Sequence, residues 1–69
     1  MLNQRVTVKE TGEAYFLKGD KVHVYRGVYK GYHVLSVFLF DRKGNRVGDK
    51  TEYRKPDEVI IDYVPAKSV

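Results

Sequence analysis

The stretch with the most chemical character is Arg26-Gly27-Val28-Tyr29-Lys30-Gly31-Tyr32-His33, where cations alternate with aromatic rings. Nucleic acid suits such a mixture: Arg and Lys meet phosphates, and Tyr faces stack on bases at roughly 1–3 kcal/mol per base. A second reading of the same residues makes Tyr25, Tyr29 and Tyr32 packing residues at a barrel edge, with wet hydroxyls. Another basic cluster follows at Arg42, Lys43 and Arg46, with Lys50, Arg54 and Lys55 after it. If residues 36–41 and 46–53 pair as a hairpin, Arg42, Lys43 and Arg46 gather at one tip. That tip would either contact phosphates or simply solubilise the hairpin.

Other chemistries find less support. His23 and His33 stand ten residues apart, and no Asp or Glu has a ligand spacing with either, so no metal is expected. His33 reads as a strand-surface histidine that could stack beside Tyr32. Of the serines, Ser36 sits within the most apolar segment and Ser68 in the tail, and neither lies in a nucleophile elbow. Asp57-Glu58 and the Asp49/Glu52 pair read as capping or surface carboxylates. No phosphate-cradling Gly-x-x-x-x-Gly-Lys-Ser/Thr loop is present. Neither a catalytic centre nor a cofactor is expected.

Charge sharpens the picture. The net charge is +4, from 13 basic and 9 acidic residues. Residues 1–20 are balanced; residues 21–55 carry nine basic against three acidic side chains, or +6; residues 56–69 carry one against three, or −2. A basic middle fits a polyanionic partner, although ordinary surface charge also keeps small domains soluble. With no cysteine, thiolate metal sites and disulfides are excluded, and a reducing, cytoplasmic setting is expected. No apolar run approaches the ~18 residues of a membrane span, so no membrane partner is expected.

These side chains have to be positioned by a small fold. At 69 residues the chain allows one domain, 1–69, that buries only about 60% of its unfolded surface. Strand signals dominate. Val6 and Val8 alternate within residues 5–9, and Val22 and Val24 within 21–26. Ala14-Tyr15-Phe16-Leu17 is a short apolar run, and Gly27 to Gly31 reads as a glycine-bounded loop. Residues 32–40 are β-branched and aromatic, which favours a long strand over a helix. Asp41 to Asn45 is a turn. Residues 46–53 resume an extended pattern, with Gly48-Asp49 as a bulge or tip. Lys55-Pro56-Asp57-Glu58 can form one helical turn, and residues 59–64 a last strand closed by Pro65. The expected class is all-β: a small SH3-like barrel of about five strands, with one short helical turn before the last. An OB barrel would need a helix between its third and fourth strands, and the chain has no room for one.

Residues 19–37 resemble a KOW motif, the nucleic-acid-associated element of NusG-type elongation factors and several large-subunit ribosomal proteins. The matching residues are Gly19-Asp20, the alternating Val22 and Val24, Gly27, and Lys30-Gly31 followed by a strand. The family usually has a second glycine three residues after Gly31, where this chain has Val34. Thr51-Glu52-Tyr53 and Pro56-Asp57-Glu58-Val59 resemble the end of KOW and other SH3-like domains. The resemblance implies nucleic-acid contacts from the 26–33 segment. Two function classes stand side by side. One is a low-specificity RNA- or DNA-binding protein using Lys21, Arg26, Tyr29, Lys30, Tyr32, His33, Arg42, Lys43, Arg46, Arg54 and Lys55, with roughly 4–6 phosphate contacts. The other is an SH3-like module that binds and modulates a protein partner. The size and basic character suit a small transcription- or translation-related regulator or a phage-encoded one. Self-association through an edge strand, 5–9 or 59–64, is a third expectation.

Overall fold

The computed structural model describes residues 1–66. Among these residues six strands form in chain order: β1 (Leu2–Val8), β2 (Ala14–Phe16), β3 (His23–Tyr29), β4 (Tyr32–Phe40), β5 (Arg46–Arg54) and β6 (Val59–Pro65). A single 3₁₀ turn, Pro56–Glu58, precedes β6. All six strands lie in one mixed sheet of order β5-β4-β3-β2-β1-β6. Neighbours run antiparallel except β2 and β3, which meet in parallel at Phe16 and Val24. The all-β expectation and the helical turn before the last strand are found. The strand count is six, because Ala14–Phe16 pairs with both β1 and β3.

Alternation sets the inner face. Val6 and Val8 of β1, Tyr15 of β2, Tyr25 of β3, Leu35 of β4 and Val59 of β6 form one buried cluster, with Val37 packed against it. Side chains of β1 and β6 can meet those of β3 and β4 only if the sheet curls around its inner face. β5 and β6, at the two ends of the order, do not pair with each other among the described residues. The ion pairs of Arg54, at the end of β5, span that gap instead. Its guanidinium lies 3.0 Å from Glu52, 3.5 Å from Glu58 before β6, and 3.6 Å from Glu10 in the β1–β2 turn.

Turn chemistry explains the connections. Lys30 (φ 50°) and Gly31 (φ 85°) are the two central residues of the β3–β4 hairpin. Positive φ at both is the type I′ signature, whose twist matches that of the flanking strands. The glycine-bounded loop expected over residues 27–31 is therefore only two residues long, and Gly27 to Tyr29 belong to β3. In the β4–β5 turn, the Asp41 carboxylate accepts the N–H groups of Lys43 and Asn45, both at 2.9 Å. Asp20 does the same for Val22 and His23, at 2.7 and 2.8 Å, which starts β3.

Two bulges set the registers. Tyr25 opposes Leu35 while Val28 opposes His33, so Arg26 and Gly27 together face Val34. Gly27 takes φ 100°, open to glycine and strained for any other residue. On β5, Arg46 opposes Phe40 while Gly48 opposes Leu39, which leaves Val47 as the extra residue. The bulge expected at Gly48-Asp49 falls one residue earlier, and both of those residues are paired.

Candidate functional site

Opposed residues of an antiparallel pair share a face, and residues two apart on a strand share it too. On β4 the odd residues His33, Leu35 and Val37 point inward. The even residues Tyr32, Val34, Ser36, Phe38 and Phe40 therefore form the outer face. Tyr29 opposes Tyr32, and Tyr53 opposes Val34, so three tyrosines gather on the outer face at the β3–β4 hairpin. Their relative exposures are 56% for Tyr29, 41% for Tyr32 and 55% for Tyr53. The rings of Tyr29 and Tyr53 reach toward each other across β4, with centroids 6.5 Å apart. Lys30 places its ammonium 5.3 Å from the Tyr29 ring centre, a cation–π distance. A depression of about 430 Å³ lies here, lined by Arg26, Val28, Tyr29, Val34, Thr51 and Tyr53.

The face continues along β4. Ser36 bonds Thr51 hydroxyl to hydroxyl at 3.1 Å. Beyond it come Phe38 and Phe40, with the Arg46 guanidinium 5.3 Å from the Phe38 ring centre. Asp49, opposite Phe38, is a carboxylate on this same face. Arg42 and Lys43 are exposed in the adjoining turn. Lys21 is exposed beside Val22, whose carbonyl accepts the Phe38 N–H at 2.9 Å. The two basic clusters thus sit at opposite ends of β4, about 26 Å apart at ~3.3 Å per residue. They bracket one aromatic face.

Two of the expected contact residues are placed elsewhere. His33 is buried at 8% exposure, and its Nδ1 lies 3.0 Å from the Tyr25 hydroxyl, so the strand-surface reading is corrected. It occupies an odd position of β4, in line with Leu35 and Val37. Burial also raises the Tyr25 phenol above its ordinary value, with the nearby Tyr63 adding to the rise. Arg54 is held by three carboxylates on the inner side, and the hydrogen bond to Glu52 raises its pKa further. Lys55 is exposed, and its backbone N–H donates to the Glu58 carboxylate at 2.8 Å. That bond, followed by Arg54, holds the Glu58 carboxyl below its usual range. Tyr53 joins the site although the sequence reading did not single it out. Counting back from the β4–β5 turn without the Val47 bulge puts Glu52 opposite Val34 and turns Tyr53 inward.

His23, the other histidine, has local partners. His23 Nε2 lies 3.6 Å from Glu13, and its ring meets Tyr15 edge-on at 5.3 Å. No group of three or more His, Asp or Glu side chains gathers for a metal among the described residues. Ser36 is fully buried, and Ser68 lies outside the described residues. Among the described residues no helix is long and apolar enough to cross a membrane. Comparison of the chain with family models, curated proteins and solved structures finds no match.

Proposed function

We propose that this chain binds single-stranded nucleic acid along the outer face of β3, β4 and β5, with little sequence preference and no catalytic step. The observation that carries the reading is the convergence of Tyr29, Tyr32 and Tyr53 on one exposed sheet face, with Arg26 and Lys30 at their edge. Every base has a π-face, so stacking tolerates any sequence, while bases inside a duplex cannot reach such rings. Phe38, Phe40 and Arg46 extend the track, and Arg42, Lys43, Lys21 and Lys55 supply further cations at its ends. With roughly 4–6 phosphates met, log Kd should rise by about 0.7 per phosphate for each tenfold rise in salt. The reading takes the curled sheet as an open relative of the SH3-like barrel and the 19–37 segment as KOW-like, in a reducing, cytoplasmic setting. A protein partner is the second reading, favoured by the apolar β6 edge, where a foreign strand could add.

Fluorescence anisotropy with labelled single-stranded RNA, single-stranded DNA and duplex DNA at two salt concentrations tests the proposal. Binding to single strands that weakens with salt and is lost in a Tyr29→Ala/Tyr53→Ala double variant is the expected outcome. No binding to any of the three at low salt overturns it.

A further inference from the structure

The two ends of the sheet are not alike. β5, at one end, is broken by the Val47 bulge and carries Asp49, Lys50, Glu52 and Arg54. Bulges and charges of this kind protect an edge from pairing with another chain. β6, at the other end, reads Val59-Ile60-Ile61-Asp62-Tyr63-Val64-Pro65. It carries no cation and no bulge. Its single charge, Asp62, is already held by a two-pronged contact with Arg5, which keeps the carboxyl below its usual range. Ile60, Ile61 and Tyr63 stand 53%, 40% and 62% exposed, and Leu2 on the adjoining strand 64%. β1, the other edge candidate in the sequence, pairs on both sides and is closed to partners.

Backbone bonds fix what β6 can offer. At its ends Lys9 donates to the Glu58 carbonyl and Ala66 to the Met1 carbonyl, each at 3.0 Å. In an antiparallel ladder, alternate residues bond the same neighbour, so the even residues of β6 are turned to β1. The odd residues Val59, Ile61 and Tyr63 turn N–H and C=O outward, and Pro65 turns out a carbonyl alone.

We infer that β6 pairs with β6 of a second copy of this chain, antiparallel about a two-fold axis at Ile61. In that register Ile61 faces its own symmetry mate, and Val59 faces Tyr63 of the partner copy, so all three outward N–H groups find carbonyls. Pro65 falls beyond the paired stretch. Asp62 lies opposite Ile60 of the other copy. Shifting the axis to Asp62 would set two carboxylates face to face and leave Pro65 opposite Val59 with no N–H to give. Pairing β6 with β5 of another copy would meet the charged, bulged edge and would propagate without closing, whereas the two-fold closes at two chains.

The chain has no cysteine, which makes the test direct. Light scattering after size exclusion should give a mass of two chains, against 8.0 kDa for one. Ile61→Lys, which sets like charges against each other at the axis, should halve that mass and leave the circular dichroism spectrum unchanged. Tyr63→Lys is the second variant, should the first fail to fold. Ile61→Cys should form a disulfide-linked dimer under mild oxidation, since bonded antiparallel partners stand about 5.5 Å apart at Cα, within disulfide reach. Lys50→Cys on β5 should not. A mass of one chain at high concentration, a dimer that survives both lysine variants, or a disulfide-linked dimer formed through Lys50→Cys in place of Ile61→Cys overturns the two-fold at β6.

Discussion

Truncating Tyr53 to alanine separates binding from folding. The ring is 55% exposed, and its one aromatic partner is Tyr29, 6.5 Å away between centroids. Losing that pair should cost the fold about 0.5–1.5 kcal/mol beyond the area the half-exposed ring buries. The same ring would offer a base roughly 1–3 kcal/mol of stacking. Affinity for a single strand should therefore fall by about 5- to 150-fold. No cation is removed, so the slope of log Kd against log salt should not change. Lys30→Ala should do the reverse, with a smaller loss at high salt and a slope shallower by about 0.7. Anisotropy titrations at about 50 mM and about 200 mM salt, beside urea unfolding of each variant, give the affinities, the slopes and the stabilities. Unchanged affinity in Tyr53→Ala would mean that the ring does not face the ligand, and the reasoning from the Val47 bulge to the outer face would fail. A loss of affinity matched by loss of folded protein would refute it equally.

Other perturbations probe the scaffold. Leu35→Ala empties a fully buried position at the centre of the core and should cost about 2–5 kcal/mol in urea unfolding, a large share of the stability of so small a domain. Gly27→Ala forces a side chain to φ 100° and should cost about 1–2 kcal/mol, although open space surrounds the site. The Asp62 and Glu58 carboxyls titrate below their usual range, Asp62 chiefly through its hydrogen bonds from Arg5 and Glu58 chiefly through the Lys55 N–H. Their stabilisation is present above the ordinary carboxylate pKa and is lost as pH falls through the depressed folded values. The thermal midpoint should thus drop below about pH 4, and by less in an Arg5→Met variant.

Individual strands were legible because their signals are local. Val6 and Val8 alternate, and residues 32–40 match β4 end to end. Asp41 to Asn45 forms its turn from its own side chains, and Pro56 opens the one helical turn. Lys30-Gly31 also carries its turn type within two residues, but reading the flanking glycine as a loop boundary hid the hairpin. Gly27 is a bulge residue inside a strand. His33 misled because it follows an exposed tyrosine; only its alignment with Leu35 shows that it points inward.

The sequence by itself determined the strand segments, the turns between them and the inventory of rings and cations, since each depends on a few neighbouring residues. Tertiary structure decided which of these share a face. The side-chain period of a strand is two, so one extra residue at Val47 moves Tyr53 from the inner side to the outer, and one at Arg26-Gly27 moves Tyr25 from the outer side to the inner. It also decided that Arg54 serves the fold by tying β5 to the β1–β2 turn and to the approach of β6, because its three carboxylates come from residues 10, 52 and 58. Registers and ion clusters of that kind are settled by contacts distant in sequence, where the whole curled sheet has to bury its inner face at once.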